Sequence, residues 1–242
     1  MSEKWLTGRV IENRHWTETL FSLRVEGAQL RYEAGQFVRI ALDINGERVA
    51  RAFSFVNPPD DPVLEFYGVI VPQGPLSPRL AKLNAGDALY VASNPAGFLV
   101  LSEVPNAETL WLVATGTGLA PFLSILRTEA PWRRFKNVVL VHAVRYASEL
   151  TYREVIRAMP ARYVTFVSRE AAPGSLAGRI PAAITDGRLE NAAGLALTAQ
   201  SSHVMLCGNP QMLRDATAAL AARGMRKHRR RASGHITVES FW

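Results

Sequence analysis

Cysteine is nearly absent from this sequence, with Cys207 the single example among 242 residues. One cysteine excludes an intrachain disulfide, which is typical of a protein from a reducing compartment. It also excludes an iron–sulfur cluster held by this chain alone, because such clusters need four cysteines, or two cysteines and two histidines. We predict no metal site. Any exchange of single electrons therefore requires another molecule that carries them.

Long apolar runs are lacking as well. No stretch of about 18 apolar residues exists, so no transmembrane helix is predicted, and Met1–Trp5 lacks the apolar core of a signal peptide. We expect a cytoplasmic protein. The formal net charge of +7 leaves nucleic acid, an anionic membrane surface and an acidic protein open as partners.

The first hundred residues alternate short β-rich runs with turns. Phe21–Glu26 has the apolar–polar alternation of a half-buried strand. Phe37–Ile44 and Glu47–Phe55 flank an Asn-Gly pair, which is a strong hairpin signal. Strands at this spacing predict a closed antiparallel barrel.

Beyond Pro105, continuous apolar runs alternate with helical stretches. The apolar runs are Leu110–Ala114, Val138–Val141, Tyr163–Val167 and His203–Cys207, and the helical stretches are Pro121–Glu129, Glu149–Met159 and Pro210–Arg223. This order predicts a doubly wound α/β domain whose parallel strands are buried on both faces. With the boundary near Ser102–Asn106, the predicted domains are 1–103 and 104–242.

The run Arg51-Ala52-Phe53-Ser54 offers a guanidinium, an aromatic ring and a hydroxyl on one strand. A flavin diphosphate needs a cation for phosphate, a flat ring for stacking and a hydrogen-bonding group near the flavin nitrogens. A surface arginine beside core aromatics remains the alternative interpretation.

The segment Gly74–Leu80 places Ser77 before a proline, which suits the first turn of a helix. Free backbone N–H groups at such a start favour a phosphate group. A plain capped helix explains the segment equally well.

Two apolar strands end in glycine turns, at Ala114–Pro121 and at Cys207–Met212. Glycines let a ligand approach the backbone closely, and ligands of open α/β sheets bind at the carboxyl ends of strands. The two turns together favour a dinucleotide. Cys207 also fits as a small buried hydrophobe.

Arg145 and Arg169 come just after predicted strands, and Arg179 follows in Gly-Arg-Ile. A cluster of guanidinium groups at this edge suits the 2′-phosphate that distinguishes NADP from NAD. Scattered surface arginines are the alternative.

Together these segments resemble the ferredoxin–NADP reductase family, and the bacterial ferredoxin/flavodoxin–NADP reductases in particular, along essentially the whole chain. The motifs are R-x-[F/Y]-S, L-S-P-R-L, G-T-G-x-A-P, H-A-x-R-Y, V-S-R-E, G-R-I-P and C-G-N-P-x-M, in that order. The resemblance implies an antiparallel six-stranded β-barrel that binds FAD, followed by an α/β domain with a parallel five-stranded sheet that binds NADP(H).

The resemblance also implies the site residues. The implied FAD contacts are Arg51, Ala52, Phe53, Ser54, Tyr67, Gly68, Val69, Ile70, Leu76, Ser77, Thr117 and Trp242. The implied NADP contacts are Thr115, Gly116, Val144, Arg145, Ser168, Arg169, Arg179, Gly208, Asn209, Pro210 and Asp215. The implied catalytic residues are Ser54, Cys207, Glu239 and Phe241.

The C-terminus fits the same resemblance. Phe241 matches the aromatic residue that stacks on the flavin and yields to nicotinamide, and Glu239 matches the glutamate two residues before it. Trp242 is a one-residue extension that, in similar proteins, reaches toward the FAD adenine. A frayed tail is the alternative.

Phe53 departs from the family, which usually has tyrosine there. The ring is kept and the hydroxyl is lost, at a cost of about 1 kcal/mol for one hydrogen bond. We expect FAD to be retained.

The implied reaction is hydride transfer between NADPH and FAD N5, followed by single-electron exchange with ferredoxin or flavodoxin. The basic run Arg226–Arg231 is interpreted as a docking face for that acidic carrier, as a solvated loop, or as a nucleic-acid contact. We expect a monomer without nucleic-acid or membrane partners. Alternative functions are the reductase component of an oxygenase, an NADPH-dependent flavin reductase and a non-catalytic basic module.

Overall fold

The first half of the chain forms one antiparallel sheet in the computed structural model, which describes residues 3–240. Its strands are β1 Trp5–His15, β2 Leu20–Glu26, β3 Phe37–Ile44, β4 Glu47–Ser54, β5 Leu64–Val69 and β6 Ala88–Ala92. The strand order is β4-β3-β6-β1-β2-β5. The sheet curls until Phe55, just after β4, bridges Phe66 of β5, which brings its two ends together.

The predicted hairpin joins β3 and β4. Ile44 pairs with Glu47 across the turn, and Asn45 and Gly46 have φ angles of 54° and 83°. Both positive angles are those of the tight turn that Asn-Gly favours. Large side chains such as Phe21, Leu23 and Ile40 fill the interior of the curled sheet.

The second half is a parallel sheet covered by helices. Its strands are β7 Thr109–Thr115, β8 Asn137–Val144, β9 Arg162–Val167, β10 Leu176–Ala177, β11 Ser202–Gly208 and β12 Ile236–Ser240. The helices are α1 Ser77–Leu80, which lies in the first half, and α2 Ala120–Leu126, α3 Ala130–Arg134, α4 Arg153–Arg157, α5 Ile180–Thr185, α6 Arg188–Ala193 and α7 Pro210–Ala221. The strand order is β10-β9-β8-β7-β11-β12.

This sheet has six strands rather than the five expected. The two-residue strand β10 is too short to leave an apolar run in the sequence. The β-branched Ile236–Val238 stretch starts β12, where the sequence predicts a tail, and β12 pairs in parallel with β11. The fold class itself, an antiparallel curled sheet followed by a parallel α/β sheet, is the one predicted. The division at residues 103 and 104 stays a prediction.

The strand β7 explains why its sequence is apolar throughout. Leu110, Leu112 and Ala114 face the core shared with α2 and the barrel, whereas Trp111 and Val113 face the core that α5, α6 and α7 cover. Alternate residues of one strand therefore fill two cores, as a central parallel strand requires. Tyr67 and Val56 of the barrel region belong to the first of these cores, so the barrel packs directly on the sheet.

Within residues 3–240, no helix combines the length and the apolar composition needed to cross a bilayer.

Candidate functional site

The two glycine turns meet at the carboxyl edge of the parallel sheet. A Cβ atom at Gly118 would lie 2.6 Å from the carbonyl oxygen of Cys207, and one at Gly208 would lie 2.7 Å from the carbonyl oxygen of Thr115. Gly208 also has a φ of +126°, a conformation that favours glycine. The Asn209 N–H donates to Thr115 Oγ1 over 2.8 Å. Backbone therefore packs directly on backbone here, so a side chain at either glycine position would clash.

The helix α7 starts at the second turn. Asn209 caps it, since its Oδ1 accepts from the N–H groups of Gln211 and Met212, and Pro210 opens the first turn. Asp215 lies one turn further on, exposed, and accepts a hydrogen bond of 2.7 Å from the Gln211 side chain. The predicted strand–turn–helix arrangement is present, and the asparagine side chain rather than a ligand satisfies two of the first N–H groups.

A buried histidine supports the first turn. His142 of β8 is fully buried, and its Nε2 lies 3.2 Å from the carbonyl oxygen of Gly116, whose φ is +52°. Burial lowers the pKa of His142 to about 4, so the imidazole is neutral at physiological pH. Because the carbonyl only accepts, Nε2 must carry the proton. The sequence singled out the motif that contains His142 but gave this residue no role.

Thr115, Gly116 and Thr117 line the first turn. Thr115 and Gly116 are half-buried, and Thr117 is buried. The turn contacts β5 of the barrel, the strand that carries Tyr67 and Gly68. The residues predicted to face flavin and nicotinamide are thus brought to one place.

Cys207 and Glu239 are direct neighbours in the parallel register of β11 and β12. Burial raises the pKa of the Cys207 thiol, and the nearby Glu239 carboxylate raises it further. Burial also raises the pKa of Glu239 to about 7, against a hydrogen bond from the Phe98 backbone that lowers it. Glu239 Oε1 is buried without a partner among the described residues. The Cys207 thiol is therefore neutral near pH 7, whereas Glu239 is about half protonated there.

Ser54 of the barrel is a second buried polar residue with an unpartnered side-chain atom. It pairs with Phe37 across β3 and β4. The Phe37 ring and Glu239 Oε2 both lie about 3 Å from the Cβ position of Gly97. Ser54 itself is buried, and its Oγ lacks a partner among the described residues. Buried polar atoms are normally bonded, so Ser54 Oγ and Glu239 Oε1 are each candidates for a bond to a bound group.

The other residues predicted to contact FAD take several positions on the barrel. Arg51 and Ala52 are exposed, and within residues 3–240 the Arg51 guanidinium bonds only the neighbouring Ala50 carbonyl, over 2.7 Å. The Phe53 ring is half-buried and stands edge-on to Phe66 at 6.4 Å. Arg51 and Phe53 thus remain open to a ligand from at least one side.

Residues of β5 and α1 are more buried, and two of them already form hydrogen bonds within the chain. Tyr67 is buried and its hydroxyl accepts from Thr151 over 2.9 Å, Gly68 is buried beside Phe53, and Val69 and Ile70 are half-buried. Leu76 is buried in the barrel core, so its side chain is not available to a cofactor. Ser77 Oγ accepts from the Val71 N–H over 2.9 Å at the start of the four-residue helix α1.

The three predicted phosphate-binding arginines are exposed at the edge where β8, β9 and β10 end. The Arg169 N–H donates to the Arg145 carbonyl over 2.9 Å, and Ser168 donates to the carbonyl of the buried Val144. In β10, Ala177 is level with Val167 of β9. Arg179 follows the end of β10 by two residues, as Arg169 follows the end of β9, so the short strand that the sequence did not predict brings the third arginine to the same edge of the sheet.

These arginines keep their charge available. Among the described residues, the ion pairs involve none of Arg51, Arg145, Arg169 and Arg179. The Arg169 guanidinium lies 5.8 Å from the Tyr146 ring centre, a weak cation–π contact. Phe241 and Trp242 lie outside the described residues, so their roles stay predictions.

Known proteins resemble this chain along nearly its whole length. A model of the oxidoreductase FAD-binding domain matches residues 7–99, and one of the oxidoreductase NAD-binding domain matches residues 112–218. The flavodoxin/ferredoxin–NADP reductase of Escherichia coli strain K12 is 54% identical over 98% of this chain and 99% of its own length. This chain belongs to the flavodoxin/ferredoxin–NADP reductase family. The ferredoxin–NADP reductase of Pseudomonas aeruginosa is 37% identical over 91% of this chain and 90% of its own.

Solved structures agree with this membership. The crystal structure of a Neisseria gonorrhoeae ferredoxin NADP+ reductase, with bound FAD and NADP, aligns with a TM-score of 0.95 and 32% identity over 99% of both chains. The predictions of an oxidoreductase, of FAD and NADP(H) as cofactors, and of the family are confirmed.

The described residues also fit both cofactors on their own chemistry. Ser54 Oγ and Glu239 Oε1 are orphaned buried atoms, which a flavin or nicotinamide amide group would satisfy. Gly116 leaves room for a flat ring, since nothing lies within 4 Å of its Cβ position, and the unpaired arginines supply charge for phosphates.

Proposed function

We propose that this member of the family transfers electrons from NADPH, through FAD, to ferredoxin or flavodoxin. The observation that carries the proposal is the meeting of the two glycine turns at the sheet edge, where Cys207 is level with Glu239, together with the unpartnered buried atoms Ser54 Oγ and Glu239 Oε1. FAD, when bound, supplies the exchange between a two-electron donor and a one-electron acceptor. The residues of the chain bind the two cofactors, orient them, and hold or release a proton beside them.

The barrel holds one cofactor. Arg51 offers a free guanidinium to the diphosphate, and the Phe53 ring offers a stacking surface beside Gly68. Ser54 offers its unpartnered hydroxyl to the flavin ring. Tyr67 to Ile70 form the wall on the β5 side, and α1 with Leu76 and Ser77 contributes backbone N–H groups.

The parallel sheet holds the other cofactor. Arg145, Arg169 and Arg179 bind the 2′-phosphate, with Ser168 between them. Nicotinamide is assigned to the turn formed by Thr115, Gly116, Thr117 and Gly208, where Gly116 leaves open space. Asn209, Pro210 and Asp215 lie at the start of α7, along the path from the nicotinamide end to the phosphate end.

Glu239 holds a proton at Oε1 near neutral pH. Its raised pKa keeps the carboxyl and carboxylate forms both populated at about pH 7, which suits a group that gives and regains a proton. Cys207 stays a neutral thiol under the same conditions and serves as a small, uncharged wall. Phe241 is assigned to cover the flavin until nicotinamide arrives, and Trp242 to lie beyond it.

The acidic carrier docks on the basic run Arg226–Arg231. Arg230 pairs with Glu103 over 2.8 Å and lies 4.2 Å from the ring centre of Phe98. Phe98 is 61% exposed, and its backbone N–H bonds Glu239. The run thus lies beside the site rather than in a remote loop, where its charge steers an acidic protein toward the flavin. A cytoplasmic, monomeric protein completes the proposal.

The test is NADPH oxidation that depends on added ferredoxin or flavodoxin. Replacing Arg229 and Arg231 by glutamate should lower kcat/KM for the carrier by about tenfold or more, and less at high ionic strength. Reduction of ferricyanide, which needs no docking, should be unchanged. Arg133→Glu is the matched control, because Arg133 is exposed on α3 and pairs only with Glu129. Equal losses with carrier and ferricyanide would contradict docking at this run, and no carrier reduction by the unaltered protein would contradict the function.

A further inference from the structure

A single carboxylate ties the barrel to the parallel sheet. Glu65 of β5 accepts from Arg127 Nη1 over 3.0 Å and from the Tyr152 hydroxyl over 2.8 Å, one bond to each oxygen. Arg127 Nη1 also approaches the Val56 carbonyl at 3.3 Å. The side chains of Arg127 and Glu65 are only 20% and 13% exposed. Water is therefore largely excluded from this ion pair, and its geometry is fixed by three partners.

Tyr152 holds an unusual backbone conformation for that contact. Its φ is +56°, a region that an aromatic residue rarely occupies. Asn45, the other described non-glycine residue with positive φ, lies in the hairpin turn. Tyr152 belongs to no such turn and directly precedes α4, where it shortens the helix predicted from Glu149. An observed backbone outlier of this kind points to a conformational constraint imposed by the surrounding contacts.

The ring–ring and hydroxyl contacts of Tyr152 reach the barrel half of the chain. Its ring lies 4.6 Å from the ring of Trp16 and 5.3 Å, edge-on, from that of Tyr67. The neighbouring Thr151 donates to the Tyr67 hydroxyl over 2.9 Å. Tyr152, which belongs to the parallel-sheet half, is therefore held in its unusual backbone conformation by contacts with the barrel half.

Glu65, Arg127 and Tyr152 connect the segments that are assigned to the two cofactors. Glu65 is two residues before Tyr67, at the start of the strand assigned to the flavin wall. Arg127 immediately follows α2, which begins where the first glycine turn ends. Tyr152 ends the loop that starts at Arg145. Hydride transfer depends steeply on donor–acceptor distance, and a shift of about 1 Å can cost a hundredfold in rate.

We infer that Glu65, Arg127 and Tyr152 form a positioning clamp that sets the distance between the flavin and nicotinamide sites, and thereby the rate of hydride transfer. The inference rests on the proposed function for its kinetic consequence, while the clamp itself is a property of the chain.

The first test is Tyr152→Phe, which removes one hydroxyl and keeps the ring packing. We expect flavin reduction at saturating NADPH to slow by about three- to tenfold, in line with one lost hydrogen bond. FAD content and KM for NADPH should stay within about twofold, and the isotope effect with NADPH deuterated at the transferred position should increase, because hydride transfer becomes more limiting. The matched control is Tyr163→Phe, since the Tyr163 hydroxyl is buried in the same core without a partner among the described residues.

A second readout does not depend on turnover. The Ile156 N–H bonds the Tyr152 carbonyl over 2.9 Å, so hydrogen exchange at Ile156 reports how firmly Tyr152 is held. Exchange in FAD-free protein should be faster in Tyr152→Phe and unchanged in Tyr163→Phe. If Tyr152→Phe is merely less stable, with hydride rate and isotope effect unaltered, or if Tyr163→Phe slows hydride transfer equally, the clamp is overturned as a positioning device. If NADPH does not reduce the flavin of the unaltered protein, the proposed function fails, and the exchange experiment still decides whether the clamp exists.

Discussion

The seam between the barrel and the parallel sheet and the site beside it handle polar groups in opposite ways. At the seam, Glu65, Arg127, Tyr152 and Thr151 all have partners. At the site, Ser54 Oγ and Glu239 Oε1 are buried without partners among the described residues, and Arg169 forms no ion pair there. Paired groups hold the two sheets together, while unpaired groups are available to ligands. Variants on either side should therefore respond differently.

The largest effect concerns the pH dependence that Glu239 imposes on stability. Its pKa is raised to about 7, so between pH 4.5 and 7 the folded protein binds more protons than the unfolded chain. Stability should therefore fall as pH rises through this window, by up to about 3 kcal/mol from this group alone. Buried His142 has a lowered pKa and acts in the opposite direction in both proteins, so the fall should be measured by urea unfolding as a decreasing stability difference between the unaltered protein and Glu239→Gln. Parallel pH profiles would contradict the assignment.

Arg169→Ala is the next largest. A lost charge-assisted bond to phosphate costs about 1.5–3 kcal/mol, so KM for NADPH should rise by about 10- to 100-fold. KM for NADH should change by less than about twofold, because NADH has no 2′-phosphate. Steady-state kinetics with both nucleotides measure this, with Arg133→Ala as the surface control. An equal loss with NADH would remove the phosphate assignment.

Ser54→Ala should separate function from stability. Flavin reduction by NADPH should slow by about five- to tenfold, equivalent to one hydrogen bond to the cofactor. The melting temperature of FAD-free protein should stay the same or rise, since an unpartnered buried hydroxyl is removed. A lower melting temperature with an unchanged rate would mean that Ser54 belongs with the seam.

Thr151→Val should have the smallest effect, and it alters the seam, where polar groups have hydrogen-bond partners. Losing the bond to Tyr67 should cost about 1 kcal/mol of unfolding free energy, or roughly 2–4 °C in melting temperature. The effect on KM for NADPH should be negligible. Thermal unfolding beside steady-state kinetics checks both. A rise in KM without loss of stability would place Thr151 in the binding site.

Sequence alone predicted the parts that local chemistry determines. The Asn-Gly hairpin, the apolar parallel strands and the two glycine turns have signals within a few residues of one another, and all are present. The same holds for Arg145 and Arg169, which follow strand ends directly.

Contacts between residues far apart in the chain could not be predicted from the sequence in this way. Glu65 meets Tyr152 across 87 residues, and nothing near either residue indicates the bond. In strand β1 only Gly8 and Val10 are buried, so its sequence lacks a regular apolar pattern. Ile236–Ser240 pairs as β12 only because β11 offers a free edge. The conformation of Tyr152 likewise depends on contacts made by the barrel.

The central claim is that FAD and NADPH meet where the glycine turns contact the barrel. Anaerobic titration with NADPH, followed by the visible flavin absorbance, tests it most directly. The account predicts yellow protein whose flavin band is bleached by NADPH and returns when ferredoxin or flavodoxin is added in oxidised form. Protein that remains colourless after reconstitution with FAD, or whose flavin is not bleached by NADPH, would contradict it.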